Sequence, residues 1–198
     1  MLGLVYTPSS TGRGMATAKT GSFYLTETVT LPTLSGNGSR VTGTIDLGAY
    51  VNVATGQAIA IDSVDFVHQV DADFGGTVNG MLAGDGSIST QLVDLNPGAA
   101  FVRADNQSLI ASSTLNIDVS NNVGTHTADI YPDNYGSAGT LSEMFMVVND
   151  TLYLTVGNDG NAVGGADLFI TARIRARVVK LGSKDWMALA LQSTASDN

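Results

Sequence analysis

Apolar and polar residues alternate along most of the chain, which is the pattern of β-strands that bury one face. The clearest run extends from Leu168 to Val178, where every even position is apolar and threonine or arginine takes the odd positions from 171 to 177. Leu115 to Val119 alternates in the same way. No segment keeps a 3.6-residue period over about ten residues, as an amphipathic helix would. The pattern therefore predicts an all-β protein.

Other segments rich in β-branched and aromatic residues extend this prediction, and turn residues separate them. The segments Met144 to Val148 and Thr151 to Thr155 are separated by Asn149 and Asp150, which tolerate positive φ and therefore predict a hairpin. Strands spaced by roughly 8–15 residues within one domain predict a sandwich or a barrel. The remaining predicted strands are Phe23 to Thr30, Arg40 to Leu47, Gln57 to Val70, Thr77 to Ala83, Ser87 to Leu95, Ala100 to Arg103 and Ser108 to Val119.

Polar extensions flank the predicted strands at both ends. Residues 1–21 are predicted to form an N-terminal arm, 22–182 the β-sandwich and 183–198 a C-terminal arm. Within the last of these, Met187 to Leu191 fits a short helix or an extended arm equally well.

Composition narrows the function classes. The chain has 198 residues, which is the size of one domain. It has no cysteine, which excludes a thiol nucleophile, a Cys-ligated zinc site, an iron–sulfur cluster and a disulfide framework. Its net charge of −9 does not draw the whole chain to nucleic acid or to an anionic membrane. We expect neither a transmembrane helix nor a secretory signal.

Candidate catalytic and metal-binding groups are sparse. His68 and His126 are the only histidines; either fits a base or a metal ligand, but we favour residues satisfied by hydrogen bonds. Asp71 and Asp73, followed by two glycines, resemble the start of a calcium loop, although Leu82 stands where a bidentate Glu is needed. We favour the other interpretation, an acidic turn between strands. We therefore predict no enzyme activity, no cofactor and no metal site, with Asp71 and Asp73 as the weak metal candidates.

Five of the nine basic residues fall close together near the C-terminus: Arg173, Arg175, Arg177, Lys180 and Lys184. The three arginines share one side of a predicted strand at spacings of about 6.5–7 Å, so they repel one another unless acids oppose them. Three interpretations remain open. The opposing acids lie on a neighbouring strand, on another subunit, or on nucleic acid or lipid headgroups.

The long final strand, the Asp-rich acidic composition and the loops rich in Gly, Thr and Asn resemble viral coat proteins of the single jelly-roll type. The similarity is to the small major capsid proteins of icosahedral, internal-membrane viruses of halophilic archaea and of Thermus, the sphaerolipovirus-like group. It covers residues 22–181. It implies a single jelly-roll β-sandwich with flexible arms, and a structural virion protein that assembles into an icosahedral shell, alone or with a second capsid protein.

The resemblance also implies an interface. Trp186, Met187, Leu189 and Leu191 are expected to anchor the C-terminal arm, and with Arg173, Arg175 and Arg177 they form the predicted subunit interface. The alternative is that this tail closes the domain's own core.

The N-terminal segment bears on the other partners. It carries only Arg13 and Lys19 and so lacks a basic genome-binding arm. This is compatible with a shell built over a membrane, and we expect no direct sequence-specific contact with nucleic acid.

Two other functions stay open. One is a virion decoration or spike-base β module, which would form small closed oligomers. The other is a glycan- or calcium-binding β-sandwich.

Overall fold

The computed structural model describes residues 16–71, 78–98, 100–130 and 144–195. Within these ranges most of the chain is extended, with two α-helices and one 3₁₀ turn at Val53–Thr55. The helices are α1 (Val78–Met81) and α2 (Ser183–Ala195). The strands are β1 (Thr17–Ala18), β2 (Phe23–Leu31), β3 (Arg40–Asp46), β4 (Gln57–Val70), β5 (Gly86–Val93), β6 (Leu109–Asp118), β7 (Val123–Ile130), β8 (Phe145–Val147), β9 (Thr151–Asp159) and β10 (Leu168–Lys180).

The described strands form two five-stranded antiparallel sheets. In the first sheet, β1 and β2 both pair with one edge of β10, β4 pairs with the other edge of β10, and β8 pairs with β4. The second sheet has the order β3-β9-β5-β6-β7. Without β1 and β7, the other eight strands numbered along the chain lie in the orders 1-8-3-6 and 2-7-4-5. This is the strand order of a jelly roll, two Greek keys folded together. The predicted all-β jelly-roll sandwich is therefore confirmed.

The core lies between the two sheets, because each sheet turns its apolar positions inward. From the first sheet, Ile170, Ala172 and Ile174 of β10 are fully or almost fully buried. Leu152 and Leu154 of β9 meet them from the second sheet, in the same cluster. Burial of one such side chain contributes about 1.5–3 kcal/mol, so the alternating pattern is what drives the sheets together.

The predicted hairpin across Asn149 and Asp150 is wrong. β8 pairs with β4 in the first sheet, whereas β9 pairs with β3 and β5 in the second. The two-residue connection crosses between the sheets and is held there by contacts to other loops. The Leu47 N–H donates to the Asp150 carbonyl over 2.6 Å, and the Asn149 side chain donates to the Asp94 carbonyl over 2.8 Å.

Two predicted strands are also wrong. Val78–Met81 is a helical turn, and residues 100–103 are irregular. The latter segment is held by the Gln91 side chain, which bonds both the N–H and the carbonyl of Val102 at 2.8 Å. Conversely, β7 was not predicted, because its residues are mostly polar and its described side chains are exposed.

The helices of the described ranges are too short or too polar to span a membrane. The 13-residue α2 begins directly after β10, with the Trp186 N–H donating to the Gly182 carbonyl over 2.9 Å. Asp185 in its first turn places a negative charge at the positive end of the helix dipole.

Candidate interaction surface

The three predicted arginines lie on the outward side of the first sheet. Because β10 turns its even positions into the core, its odd positions point away from it. The register places Arg173 between Thr26 of β2 and Asp65 of β4. Arg175 lies one row further along β10, in register with Tyr24 of β2. We call the outward side of β2, β10 and β4, with Tyr24, Asp65, Arg173, Arg175 and Arg177, the arginine face.

A β-bulge in β4 places two acids on this face. Ser63 pairs with Arg175 and Ile61 pairs with Ala176, so Asp62 is an extra residue of β4. Before the bulge Ile61 faces the core, while the even residues Ala58 and Ala60 lie on the outward side, and Asp62 continues their row. After the bulge the even residue Val64 faces the core, so the outward positions become odd and include Asp65.

Asp62 binds two of the arginines within the chain. Its Oδ2 lies 2.9 Å from Nη2 of Arg177 and 3.5 Å from Nε of Arg175, and it accepts a hydrogen bond from Ser22 Oγ over 3.1 Å. The Asp62 side chain is 2% exposed, whereas that of Arg175 is 45% exposed. Asp62 and the cross-strand Asp65 are thus the acids on neighbouring strands that sequence reasoning allowed for.

Arg173 is held differently. Its guanidinium carbon lies 5.2 Å from the ring centroid of Tyr24, which is a cation–π contact. Tyr24 is 56% exposed, so this pair projects from the sheet rather than filling a core. Beyond it, the hydroxyls of Thr28 and Thr171 are hydrogen bonded over 2.8 Å. The middle of the arginine face is therefore exposed and carries an aromatic–arginine pair.

The helix α2 covers one end of the same side of the sheet. Trp186, Leu189 and Ala190 pack against a second apolar cluster: Ala58, Ala60, Met144, Val148, Val179 and Leu181. Met187 and Leu191 are 62% and 67% exposed and form an apolar ridge on the other side of the helix. The structure thus divides the four predicted tail residues, two inward and two outward.

Of the two metal candidates, the structure describes only Asp71. Asp71 is exposed with φ of 50°, and its N–H donates to the Asp167 carbonyl over 2.9 Å. Asp73 lies outside the described residues. In the described part of the chain no three His, Asp or Glu side chains are grouped to hold a metal.

The two histidines meet across the sandwich, which their positions in the sequence did not reveal. The rings of His68 on β4 and His126 on β7 are 6.2 Å apart, edge to face. Ser113 Oγ lies 3.2 Å from Nδ1 of His126.

Sequence reasoning also missed a cleft on the outer side of the second sheet. It has a volume of about 280 Å³ and lies between β5, β6 and the segment that follows β5. Ser89, Gln91, Phe101 and Thr114 contribute to its lining. One side of the Phe101 ring is covered by Arg40, whose guanidinium carbon lies 4.5 Å from the ring centroid.

One buried carboxyl lies at the end of β5. Asp94 is 4% exposed, and its Oδ1 has no hydrogen-bond partner among the described residues. Burial raises the pKa of Asp94 from 3.8 to about 6, although a hydrogen bond from its own backbone opposes the rise. This carboxyl therefore titrates just below neutral pH.

Comparison with known proteins finds only distant structural similarity. No family model matches the chain, and no curated protein matches it significantly. Similar solved structures include the unassembled pentamer of Merkel cell polyomavirus VP1, with 10% identity, a TM-score of 0.39, and coverage of 85% of this chain and 100% of that chain. Trichodysplasia spinulosa-associated polyomavirus VP1, in complex with sialylated glycooligomers, has 12% identity, a TM-score of 0.40, and coverage of 84% and 99%.

A plant virus protein is similar at the same level. The structure of Desmodium yellow mottle tymovirus has 9% identity, a TM-score of 0.31, and coverage of 92% of this chain and 97% of that chain. TM-scores this low carry no argument about function. The assignment of the jelly roll rests on the sheet order.

Proposed function

We propose that the protein is a structural virion protein, a capsid subunit that assembles into an icosahedral shell, alone or with a second capsid protein. The observation that carries the proposal is the arginine face beside the ridge of α2: a broad sheet surface that exposes an Arg–Tyr pair, a second arginine and two large apolar side chains. Tyr, Arg and Met are enriched in protein–protein interfaces. A jelly-roll sandwich offers such a face on a rigid support.

The proposed subunit interface contains Arg173, Arg175, Met187 and Leu191, whose side chains are exposed. Arg177, Trp186 and Leu189 support it from below, because they bind Asp62 or pack on the second apolar cluster. Residues 1–21 and 183–198 are proposed as the segments that reach neighbouring subunits. Because the sequence resembles capsid proteins of internal-membrane viruses, we also propose that a lipid layer lies beneath the shell.

The experiment is assembly of the purified full chain, followed by sedimentation velocity and electron microscopy. We expect large closed particles. Met187→Lys with Leu191→Lys should raise the protein concentration needed for assembly, whereas Ile130→Lys, on the other sheet, should not. Particles that form equally well with Met187→Lys and Leu191→Lys would remove α2 from the interface. A wild-type chain that stops at a small closed oligomer would favour the decoration or spike-base function.

The cleft beside Phe101 favours a second candidate, a glycan-binding sandwich. It places an aromatic ring near the hydroxyls of Ser89 and Thr114, which are 3.2 Å apart. Rings and hydroxyls of this kind suit the apolar and polar sides of a sugar. Binding to a glycan on an array that is abolished by Phe101→Ala would support this function. Binding to none of the glycans on the array would exclude it.

A further inference from the structure

We infer that the arginine face binds the acidic loop end of a second copy of this chain, head to tail. The inference rests on the proposed function and names the surfaces that it uses. The acidic loop end is the end of the sandwich at which β10 begins, and it carries Asp71, Asp85, Asp118 and Asp167.

The arginine face is a positive region on a negative protein. The exposed cations Lys19, Arg173, Arg175 and Lys184 lie on it or beside it, against the exposed acid Asp65 and the half-exposed Asp185. The chain as a whole has a net charge of −9, so its other surfaces are strongly acidic. With such a distribution, surfaces of opposite charge on two copies attract each other and surfaces of the same charge repel each other.

The charges decide the symmetry of the contact. In a two-fold dimer formed through this face, each patch would meet its own copy, which would bring two patches of net positive charge together. The buried Asp62 cannot relieve that repulsion, because it lies beneath the arginines rather than between the copies. A heterologous contact, arginine face to acidic end, pairs opposite charges. Contacts of that kind generate rings when the rotation between copies closes and open filaments when it does not.

The described acids of the acidic loop end belong to two pairs of neighbouring connections. The Asp71 N–H bonds the Asp167 carbonyl, and Asp85 accepts from the N–H of Val119, beside Asp118. Arg40 at this end is already held by both oxygens of Asp159, at 2.7 and 2.8 Å. Among the described acids of this end, Asp71 and Asp85 are exposed, whereas Asp118 and Asp167 are half-buried.

The size of the arginine face suits such a contact. β2 runs beside β10 over the nine residues Leu168 to Ala176, which span about 30 Å at about 3.3 Å a residue, and three strands are about 14 Å wide. This gives about 400 Å² for the open sheet side, about half of the roughly 800 Å² per partner in a stable interface. The apolar ridge of α2 adds further area on the same side.

Charge reversal tests the pairing. Arg173→Asp with Arg175→Asp should raise the concentration needed for assembly at least about tenfold, and so should Asp71→Lys with Asp85→Lys. A mixture of the two variants should assemble better than either one, because the reversed faces match again. Arg103→Asp, an exposed arginine in the loop after β5, is the matched control and should assemble as wild type does. Melting curves establish that each variant is folded.

Cysteine cross-linking gives a readout that does not depend on charge reversal. The chain has no cysteine, so introduced pairs report a single contact. Arg175→Cys and Asp85→Cys copies should form a disulfide when mixed, and Arg175→Cys alone should not.

The outcomes separate this inference from the proposed function. If wild type forms particles but the charge-reversed variants assemble equally well, the inference fails and the capsid function stands. Efficient disulfide formation by Arg175→Cys alone would show a two-fold contact and also overturn it. If the wild-type chain never assembles, both fail together.

Discussion

Asp94 should make the stability of the folded chain depend on pH, because its carboxyl is buried without a partner for Oδ1 among the described residues. Its pKa is about 6 in the folded protein and 3.8 in the unfolded chain. That difference, at about 1.36 kcal/mol for each pH unit, corresponds to about 3 kcal/mol.

The sign follows from which state binds the proton. Between pH 3.8 and about 6 the unfolded chain loses the Asp94 proton while the folded chain keeps it. The stabilisation that the folded state gains by keeping the Asp94 proton is therefore fully present below the lower pKa, and it is lost as the pH rises through the higher one. Asp94→Asn removes this titration. The free energy of unfolding of the variant minus that of wild type should therefore rise by about 3 kcal/mol as the pH rises from about 3 to 7.5.

Urea unfolding of wild type and Asp94→Asn across that pH range measures the difference. A cost of placing an amide at this position shifts all values equally, so only the change with pH matters. Asp118→Asn is a control with the opposite sign. Hydrogen bonds from Asn121 lower the pKa of Asp118, so the stabilisation of the folded state by ionised Asp118 is lost as the pH falls. A constant difference between wild type and Asp94→Asn would refute a protonated, buried Asp94.

Three further substitutions test the packing. Asp62→Asn keeps the shape but removes the buried charge under the arginines, and should cost about 3 kcal/mol in urea unfolding at neutral pH; a loss near zero would contradict the geometry. Gly157→Ala would place a Cβ 2.6 Å from the backbone oxygen of Ser39 and should cost about 1–3 kcal/mol, whereas Gly165→Ala, with open space around it, should be neutral by the same assay. Leu154→Ala, at a fully buried position, should lower the free energy of unfolding by about 3–5 kcal/mol, and a smaller loss would mean that the cavity collapses.

Strands with one buried face could be predicted closely from the sequence. The start of the final strand at Leu168 matches β10, because alternation records which side of a strand is buried, and Gln57 to Val70 matches β4, a long apolar stretch whose residues Ala58 to Asp62 are all buried. β7 lacks that record, since its described side chains are exposed. Asn149 and Asp150 mark a turn correctly, but turn chemistry does not say whether the flanking strands pair with each other or with distant ones.

The candidate surface could be predicted only in part, for the same reason. The row of three arginines can be read directly from period two. Their partner Asp62 cannot, because its place beside Arg175 and Arg177 exists only when β4 pairs with β10. Likewise, the apolar tail residues are visible in the sequence, but the packing of α2 decides that Trp186 turns inward.

The sequence by itself therefore determined the strand-forming pattern, the acidic balance and the concentration of positive charge on one strand. These are local or additive properties of residues. The tertiary structure decided which sheet each strand joins, which acids oppose the arginines and which side of α2 stays exposed. Those features depend on contacts between residues far apart in the chain, such as Asp62 with Arg177 and Trp186 with the cluster around Ala58, and no local pattern encodes them.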